Sequence, residues 1–476
     1  MRIIGNCRLG LFVICTSLYS LVQSQITFEK TIGGIDDDSG NDIFECSDGG
    51  FIICGQEANF YYGDTDLLLV KTDAYGEVLW TRSKSRPIHD DQYFSVIETF
   101  DNNILAGGYI HDGTKKRPYL EKLSNTGDSL WSLSLVNLTC ESFSNIRQVQ
   151  DSGFICAGVG LGDNKEKIYN STCLLRLNPQ GEEDWYKIYS RQTNSLELLP
   201  DGSYVCCGTY IKSSQNRDIS LMKIESSGIQ NWTENYGAEG DQEYGNCVKV
   251  TLDGGYIICG RLFVGTIYIG GSEMMLVKTD GDGNLLWSKY YEAGYSASGI
   301  CLDITPDGGY IIAGKAQDSI TDFDDIWLLR TDSEGEILWS RKYGGNYTDV
   351  PYAIKTTSDG GYIVCGKTQS FGNGGYDIYI IKTDDEGLVY VDEPEIAQSS
   401  FKVYPNPNNG RFRILSDTDF SLIEIFNLNG HCILKLEADG FAGVPYRVNL
   451  GKAYRGIIIL KLTTQNSFNA RTIVVH

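Results

Sequence analysis

An all-β fold is what this sequence predicts, and three observations carry the prediction. An Asp-anchored tight turn recurs at Asp48, Asp101, Asp151, Asp201, Asp253, Asp307 and Asp359, a period of about fifty residues. A second turn, basic–x–x–x–x–Gly, recurs in step with it, from Lys71/Gly76 to Lys382/Gly387. Between the turns lie short stretches of alternating apolar residues, clearest from Ala353 to Gly366 and again from Asp377. Composition agrees: 54 glycines and 30 tyrosines against 10 prolines suit short strands joined by tight turns.

In chain order, residues 1–24 read as a secretory signal peptide. Arg2 and Arg8 give the basic start, Leu9 to Val22 the apolar run, and Val22 and Ser24 the small residues before a cut that leaves Gln25 first. The apolar run is short for a membrane span, and no other stretch approaches twenty apolar residues.

Residues 25–394 hold the repeat. Glycine stands seven positions after each Asp anchor, from Gly55 to Gly366. Six copies place tryptophan after the second turn, at Trp80, Trp131, Trp185, Trp232, Trp287 and Trp339. The glycines supply the positive φ angles that tight hairpin loops need. Each copy then gives four up-and-down strands, with one apolar face that only a neighbouring copy can cover. Four-stranded repeats of this length close radially into a β-propeller, here seven-bladed, with tryptophan between blades. A linear solenoid is the alternative. The ends argue for closure. The last copy lacks the tryptophan strand, and the chain from Ile26 to Gly34 is such a strand with nothing before it. Aligned on Gly33 and Gly344, Phe28 falls on Trp339 and Ile32 on Tyr343. Sharing the last blade between the two ends removes two open edges.

A formal charge of −22 argues against nucleic acid and anionic lipid as partners. Four histidines exclude a histidine-rich zinc cage; His89 and His111 are the two in the repeats, and nothing in the sequence pairs them. No nucleophile motif or phosphate loop is present. Of 14 cysteines, Cys54, Cys207, Cys259 and Cys365 share one register position with Ala157, Ala313 and Gly107, so they read as small buried hydrophobes with free thiols. Cys247 and Cys301 share another position with Ala353. Cys140 with Cys173 is the pair nominated for a bond.

Function concentrates on long, variable loops. Those between the second and third strands of each copy, and between copies, fall on one face of the ring. They carry Tyr61, Tyr62, Tyr109, Phe263, Tyr268, Phe323 and Tyr376, rings suited to a sugar or peptide, or to packing of the loop on itself. Carboxylates recur there at Asp66, Asp325 and Asp377, and near the copy starts at Asp38, Asp91, Asp241 and Asp349. They read as strand-end hydrogen-bond acceptors, with Ca²⁺ coordination as the sharper alternative. No other cofactor is implied. A glycosidase needs two carboxylates at the right separation, and the sequence does not locate them.

After a linker at 395–400 the pattern changes. Residues 401–476 alternate short strands around an Asn429-Gly430 turn, as in a small β-sandwich. Tyr404-Pro405-Asn406-Pro407 with Gly410, the strand Gly456–Leu462 and the terminal Thr472-Ile473-Val474-Val475 resemble the type A C-terminal sorting domain of the type IX (Por) secretion system. Ile457-Ile458 departs from the aromatic frequent after that glycine, and Arg471 with His476 from the usual lysines. The resemblance implies a Bacteroidota-type source, passage through the periplasm, transport by the type IX machinery, and delivery to the cell surface or the medium. The repeats also resemble the DGG-type propeller repeats often joined to this domain. The reading is an exported, monomeric binding or interaction module whose partner is a surface glycan or extracellular protein. The competing reading is a carbohydrate-active propeller enzyme, a glycoside hydrolase or lyase using loop-face carboxylates. An enzyme should break the repeat locally; copies two and three deviate most, with Asn102-Asn103 and Ser152 in place of glycines.

Overall fold

The computed structural model describes residues 25–59, 63–85, 89–135, 140–160, 171–213, 216–266, 269–320, 322–389, 401–405, 410–427, 432–450, 456–463 and 468–475. The proposed signal peptide and linker lie outside them. Every regular element among the described residues is a strand, and the chain divides into two compact units at Val389/Tyr390.

The larger unit is a series of four-stranded antiparallel sheets in a propeller-like arrangement, numbered here as repeats one to seven. In repeat one, Ser39–Glu45, Phe51–Asn59, Asp64–Thr72 and Val78–Lys84 pair in chain order. The order holds through repeat six, Ser296–Ile304 to Ile337–Tyr343, and a single parallel bridge from Arg217 to Gln242 links repeats four and five. Repeat seven has three strands of its own, Asp349–Thr356, Tyr362–Thr368 and Asp377–Thr383. Its fourth is Phe28–Ile32, antiparallel to Asp377–Thr383 with Phe28 opposite Lys382 and Ile32 opposite Ile378. In repeat six Trp339 faces Arg330 and Tyr343 faces Ile326, so Phe28 and Ile32 hold the positions of Trp339 and Tyr343.

The two sequence motifs meet in space. The third-strand basic residue reaches the Asp anchor of its own repeat: Lys71–Asp48 at 2.9 Å, Lys122–Asp101 at 2.8 Å, Lys278–Asp253 at 2.8 Å and Lys382–Asp359 at 2.9 Å, with Arg176–Asp151 and Arg330–Asp307 alike, and Lys223–Asp201 looser at 4.0 Å. In five repeats the buried cation also donates to a carbonyl, as Lys71 Nζ does to Thr72 O at 3.1 Å. A buried ammonium left unpaired would be costly; here both hairpin turns are tied to it.

Each tryptophan packs beneath the second turn of the following repeat, Trp80 against Gly127 and Trp339 against Gly387. Phe28 lies against Gly76 in the same way. Gly76 has φ +74° and a ring over its α-carbon, so only glycine fits. The ring also meets an aromatic residue of the next repeat: Trp339–Tyr362 centroids are 6.0 Å apart and Phe28–Phe51 6.2 Å. The left-handed turn positions of repeats two and three are taken by Asn102 and Ser152.

Cys140 and Cys173 form the disulfide the sequence nominated. Cys54, Cys207, Cys259 and Cys365 are free and buried, as their shared small-residue position implies.

The C-terminal unit has two sheets. Phe401–Tyr404, Arg411–Ser416 and Tyr446–Asn449 form one. Cys432–Gly440, Phe420–Asn427, Gly456–Thr463 and Phe468–Val475 pair in that order in the other. Phe401, Ile414, Ile423, Ile425, Leu460 and Ile473 form one buried core from both.

Candidate functional site

The first strands of all seven repeats line one cavity of about 370 Å³. Six of them carry a β-bulge at the same register, for example between Gly40 and Asp42 and between Gly245 and Cys247. A bulge turns two successive side chains to one side, and successive residues such as Asn41-Asp42, Asn194-Ser195 and Asn246-Cys247 do line the cavity. The asparagines bind repeat to repeat. Asn41 Nδ2 donates to Tyr93 O at 2.6 Å, Asn194 Nδ2 to Gly245 O at 2.7 Å and Asn246 Nδ2 to Gly299 O at 2.7 Å.

Two positions further along, charges alternate around the wall. Arg147 pairs with Glu197 at 2.8 Å, Glu197 with Lys249 at 2.8 Å and Lys249 with Asp303 at 3.6 Å, while Lys355 reaches back to Asp42, on the bulge of repeat one, at 3.8 Å. Burial alone would raise the Glu197 carboxyl, but Arg147 and Lys249 outweigh it and hold it well below the carboxylate range. Burial alone would lower the pKa of Arg147 and Lys249, and Glu197 outweighs it so that both are raised. Three acids balance three bases, so the wall is polar and near neutral, a surface for uncharged polar or zwitterionic groups rather than for an ion. The sequence carried a signal for this ring: the residue four before each Asp anchor is Arg147, Glu197, Lys249, Asp303 or Lys355 in the last five repeats. Sequence reasoning missed it.

The loop-face aromatics are not gathered into one site. Tyr109 is buried, with Lys116 Nζ 3.9 Å over its ring. Tyr376 is half-buried under Lys367 Nζ at 4.0 Å. Phe263 is half-buried, and Phe323 is exposed beside Tyr347 at 5.6 Å. Tyr61, Tyr62 and Tyr268 lie outside the described residues. One sequence expectation needs correction: His89 and His111 do pair, with ring centroids 5.3 Å apart. The strand Gln92–Glu98 and its neighbour Ile104–His111 bring them together in repeat two, a contact that residue spacing did not suggest.

The recurring carboxylates act as backbone acceptors. Asp38 takes the amides of Gly34 at 2.9 Å and Ala58 at 3.2 Å, Asp349 that of Gly345 at 2.9 Å, and Asp377 that of Asn373 at 2.8 Å; in repeat five the position belongs to Glu243, which takes the amide of Ala238 at 3.0 Å, and not to the exposed Asp241 that the sequence suggested. They come in neighbouring pairs, because a side chain on Gly33 would collide with both Asp38 and Asp377, and one on Gly344 with both Asp325 and Asp349. Burial first, then the neighbouring acids, push Asp38 and Asp325 each up to about 6. Asp66 is buried too. Among the described residues no group of three or more His, Cys, Asp or Glu side chains is placed to hold a metal ion. In the C-terminal unit Tyr404 ends the first strand, Pro405 follows it, and Gly410 stands at φ +84° before the second; Asn406 and Pro407 lie outside the described residues.

Comparison with known proteins separates the two units. Residues 402–476 match the secretion system C-terminal sorting domain. A sorting domain of this type IX kind implies a protein exported to the cell surface or secreted. Regulatory protein FlaEY of Caulobacter vibrioides is 26% identical over 174 residues, which is 32% of this chain and 18% of that protein. The chain therefore spans less than a fifth of that relative's length. Similar solved structures include the β-propeller domain of the Trilobed protease from Pyrococcus furiosus, at 12% identity, 76% of this chain, 99% of that one and TM-score 0.43. A protein of unknown function from Bacteroides caccae has 13% identity, 61% and 93% coverage and TM-score 0.38. Penicillium chrysogenum α-L-arabinanase has 11%, 60% and 92%, and 0.42. None of these likenesses is strong enough to pass a substrate or partner to this chain.

Proposed function

We propose that this protein is a monomeric, exported binding module: a seven-bladed β-propeller over residues 25–394, closed by its N-terminal strand and delivered through the periplasm by the type IX machinery acting on residues 401–476. The observation that carries the reading is the sorting-domain match at 402–476, directly after the repeat array. Closure is supported by the pairing of Phe28–Ile32 with Asp377–Thr383 and by the hydrogen bond from Ser358 N to Glu45 at 2.8 Å, which ties the seventh repeat to the first. A surface glycan or an extracellular protein is the partner class, met at the loop face or the cavity mouth. A Ca²⁺ ion, if one is used, belongs at the paired loop-face carboxylates.

Those carboxylates also bear on the enzyme reading, since Asp38 and Asp325 have the raised pKa of a general acid. Yet the same pair recurs at several junctions with the same backbone amides bound, and an active site would break that symmetry. Binding is therefore preferred. Deleting residues 401–476 tests the export half: the truncated protein should accumulate folded in the periplasm of a type IX-competent host, and normal surface levels would overturn it. A glycan array with the mature chain tests the binding half. Retention of defined glycans without turnover is expected, and release of shortened products would favour the enzyme.

A further inference from the structure

The cavity wall carries a pair of thiols that neither the sorting signal nor the repeat architecture requires. Cys247 sits on the bulge of the fifth repeat's first strand and lines the cavity. Among the free cysteines of the described residues it is the most exposed. Directly across the strand pair, its register partner is Cys259, fully buried behind it. Directly opposed residues on antiparallel strands have α-carbons about 4.5–5.5 Å apart, within the span a disulfide bridges.

The surroundings activate the outer thiol and not the inner one. The neighbouring Cys259 thiol draws the Cys247 pKa below the ordinary thiol value; burial opposes this, and the Lys249 ammonium supports it. Ser195 Oγ also donates to Cys247 Sγ, at 3.8 Å. Burial pushes Cys259 far upward. A thiolate-prone sulfur at a cavity wall, backed by a protonated thiol, is the arrangement of an attacking and a resolving cysteine. The fold supplies its own control. Cys301 occupies the same register one repeat on and lines the same cavity, but its opposite residue is Ala313, and its pKa is raised by burial.

We propose that Cys247 and Cys259 form a reversible redox couple at the cavity wall, oxidised by hydroperoxides. The Cys247 thiolate attacks the outer oxygen of ROOH. The S–O bond forms, the O–O bond breaks, and RO⁻ leaves as ROH after taking a proton. Cys259 then attacks the sulfenic sulfur; the S–S bond forms and the hydroxyl leaves as water with the Cys259 proton. Two thiols and ROOH give a disulfide, ROH and water, a two-electron oxidation of sulfur. Because Cys247 adjoins Lys249 in the ionic ring, closing the bond alters the wall that a ligand would meet.

The test uses the mature protein, stoichiometric hydrogen peroxide and non-reducing peptide mapping. The expected result is a Cys247–Cys259 link in addition to Cys140–Cys173, reversed by dithiothreitol. Before oxidation, iodoacetamide at neutral pH should label Cys247 at least about tenfold faster than Cys301, the ratio that thiolate fractions of an activated and an ordinary thiol imply. Cys247→Ser should abolish the new link, and Cys301→Ser should leave it intact. Equal labelling of Cys247 and Cys301, over-oxidation of Cys247 with no link, or a link from Cys247 to Cys207 or Cys301 would each overturn the proposal. If Cys247→Ser fails to fold, the labelling ratio and the map of the unsubstituted protein still decide.

Discussion

Two sets of carboxylate–cation pairs serve this protein, and they differ in one respect. At the turns the pair is of one kind in every repeat: an Asp anchor and a Lys or Arg, buried in six repeats, as in Asp48 with Lys71 and Asp359 with Lys382, and looser in the fourth, where a half-buried Lys223 stands 4.0 Å from Asp201. Around the cavity the partners change from repeat to repeat, from Arg147 to Glu197 to Lys249 to Asp303. The turn pair closes within one repeat, so each copy must satisfy its own buried cation. The cavity is shared, so only the sum over the ring has to balance, and single repeats are free to diverge. Repetition marks what the fold needs; divergence marks where a ligand can be selected.

The sharpest way to break this comparison is at the repeated slot that the chain fills with a different residue. Phe28 is 8% exposed and takes the place of tryptophan beneath Gly76. Phe28→Ala should destabilise the protein by about 3–5 kcal/mol, as for buried aromatics generally, read by urea denaturation of the mature chain. A loss no larger than that of a frayed terminus would detach Phe28–Ile32 from the repeated set.

Next comes the ring. If only the sum matters, exchanging Arg147 and Glu197 in a double variant should restore much of what either single reversal loses. The expected coupling in a double-mutant cycle is about 1–3 kcal/mol. Additive losses would mean that each charge is fixed by its own repeat, as at the turns.

Acid and base should then act oppositely on the two classes of carboxylate. Burial tends to raise Asp253, but hydrogen bonds from Lys278 and Thr251 prevail and hold it at about 2. A depressed carboxyl contributes stability above its unfolded value of about 4, lost as pH falls through the folded value. The turn pairs should therefore weaken between about pH 4 and pH 2. Asp325 is raised to about 6, by burial first and then by Asp349. Its contribution is present below about pH 4 and is lost as pH rises toward 6. Asp325→Asn should flatten the decline of the urea midpoint between those values, and an unchanged slope would assign the decline to other groups.

Much of this was legible in the sequence because it is periodic. The turn glycines, the tryptophan slot and the deficit at Phe28 are each visible by comparing copies. The turn ion pair was half legible: both residues were noticed, but Asp48 and Lys71 lie on different hairpins, and their contact depends on how the hairpins stack. The cavity ring was harder, because reading it means comparing residues such as Arg147 and Glu197 that differ in sign, where a repeat search looks for sameness. The His89–His111 pair was not legible, since it occurs once and joins a connecting loop to the end of a strand. The loop aromatics were listed by type, yet Lys116 and Lys367 cover Tyr109 and Tyr376, and tertiary contacts of that sort leave no mark on spacing.

The smallest effect lies where repeats two and three depart from the turn pattern. Ser152 stands at φ +68°, where repeats four and five have Gly202 at +80° and Gly254 at +81°. A left-handed conformation costs a residue with a β-carbon about 1–2 kcal/mol, whereas glycine gives back part of that gain through the greater freedom of its unfolded chain. Ser152→Gly should therefore stabilise by less than about 1 kcal/mol. The contacts Ser152 makes here come from its backbone, to Val149 O at 2.9 Å and from Gln148 Nε2 at 3.1 Å, and glycine keeps both. Asn102, at φ +56°, is a residue that tolerates this region, so Asn102→Gly should gain less still. The two urea midpoints should rise in that order. A fall on Ser152→Gly would show that the hydroxyl contributes something the repeat does not, and would move repeat three from the structural set to the divergent one.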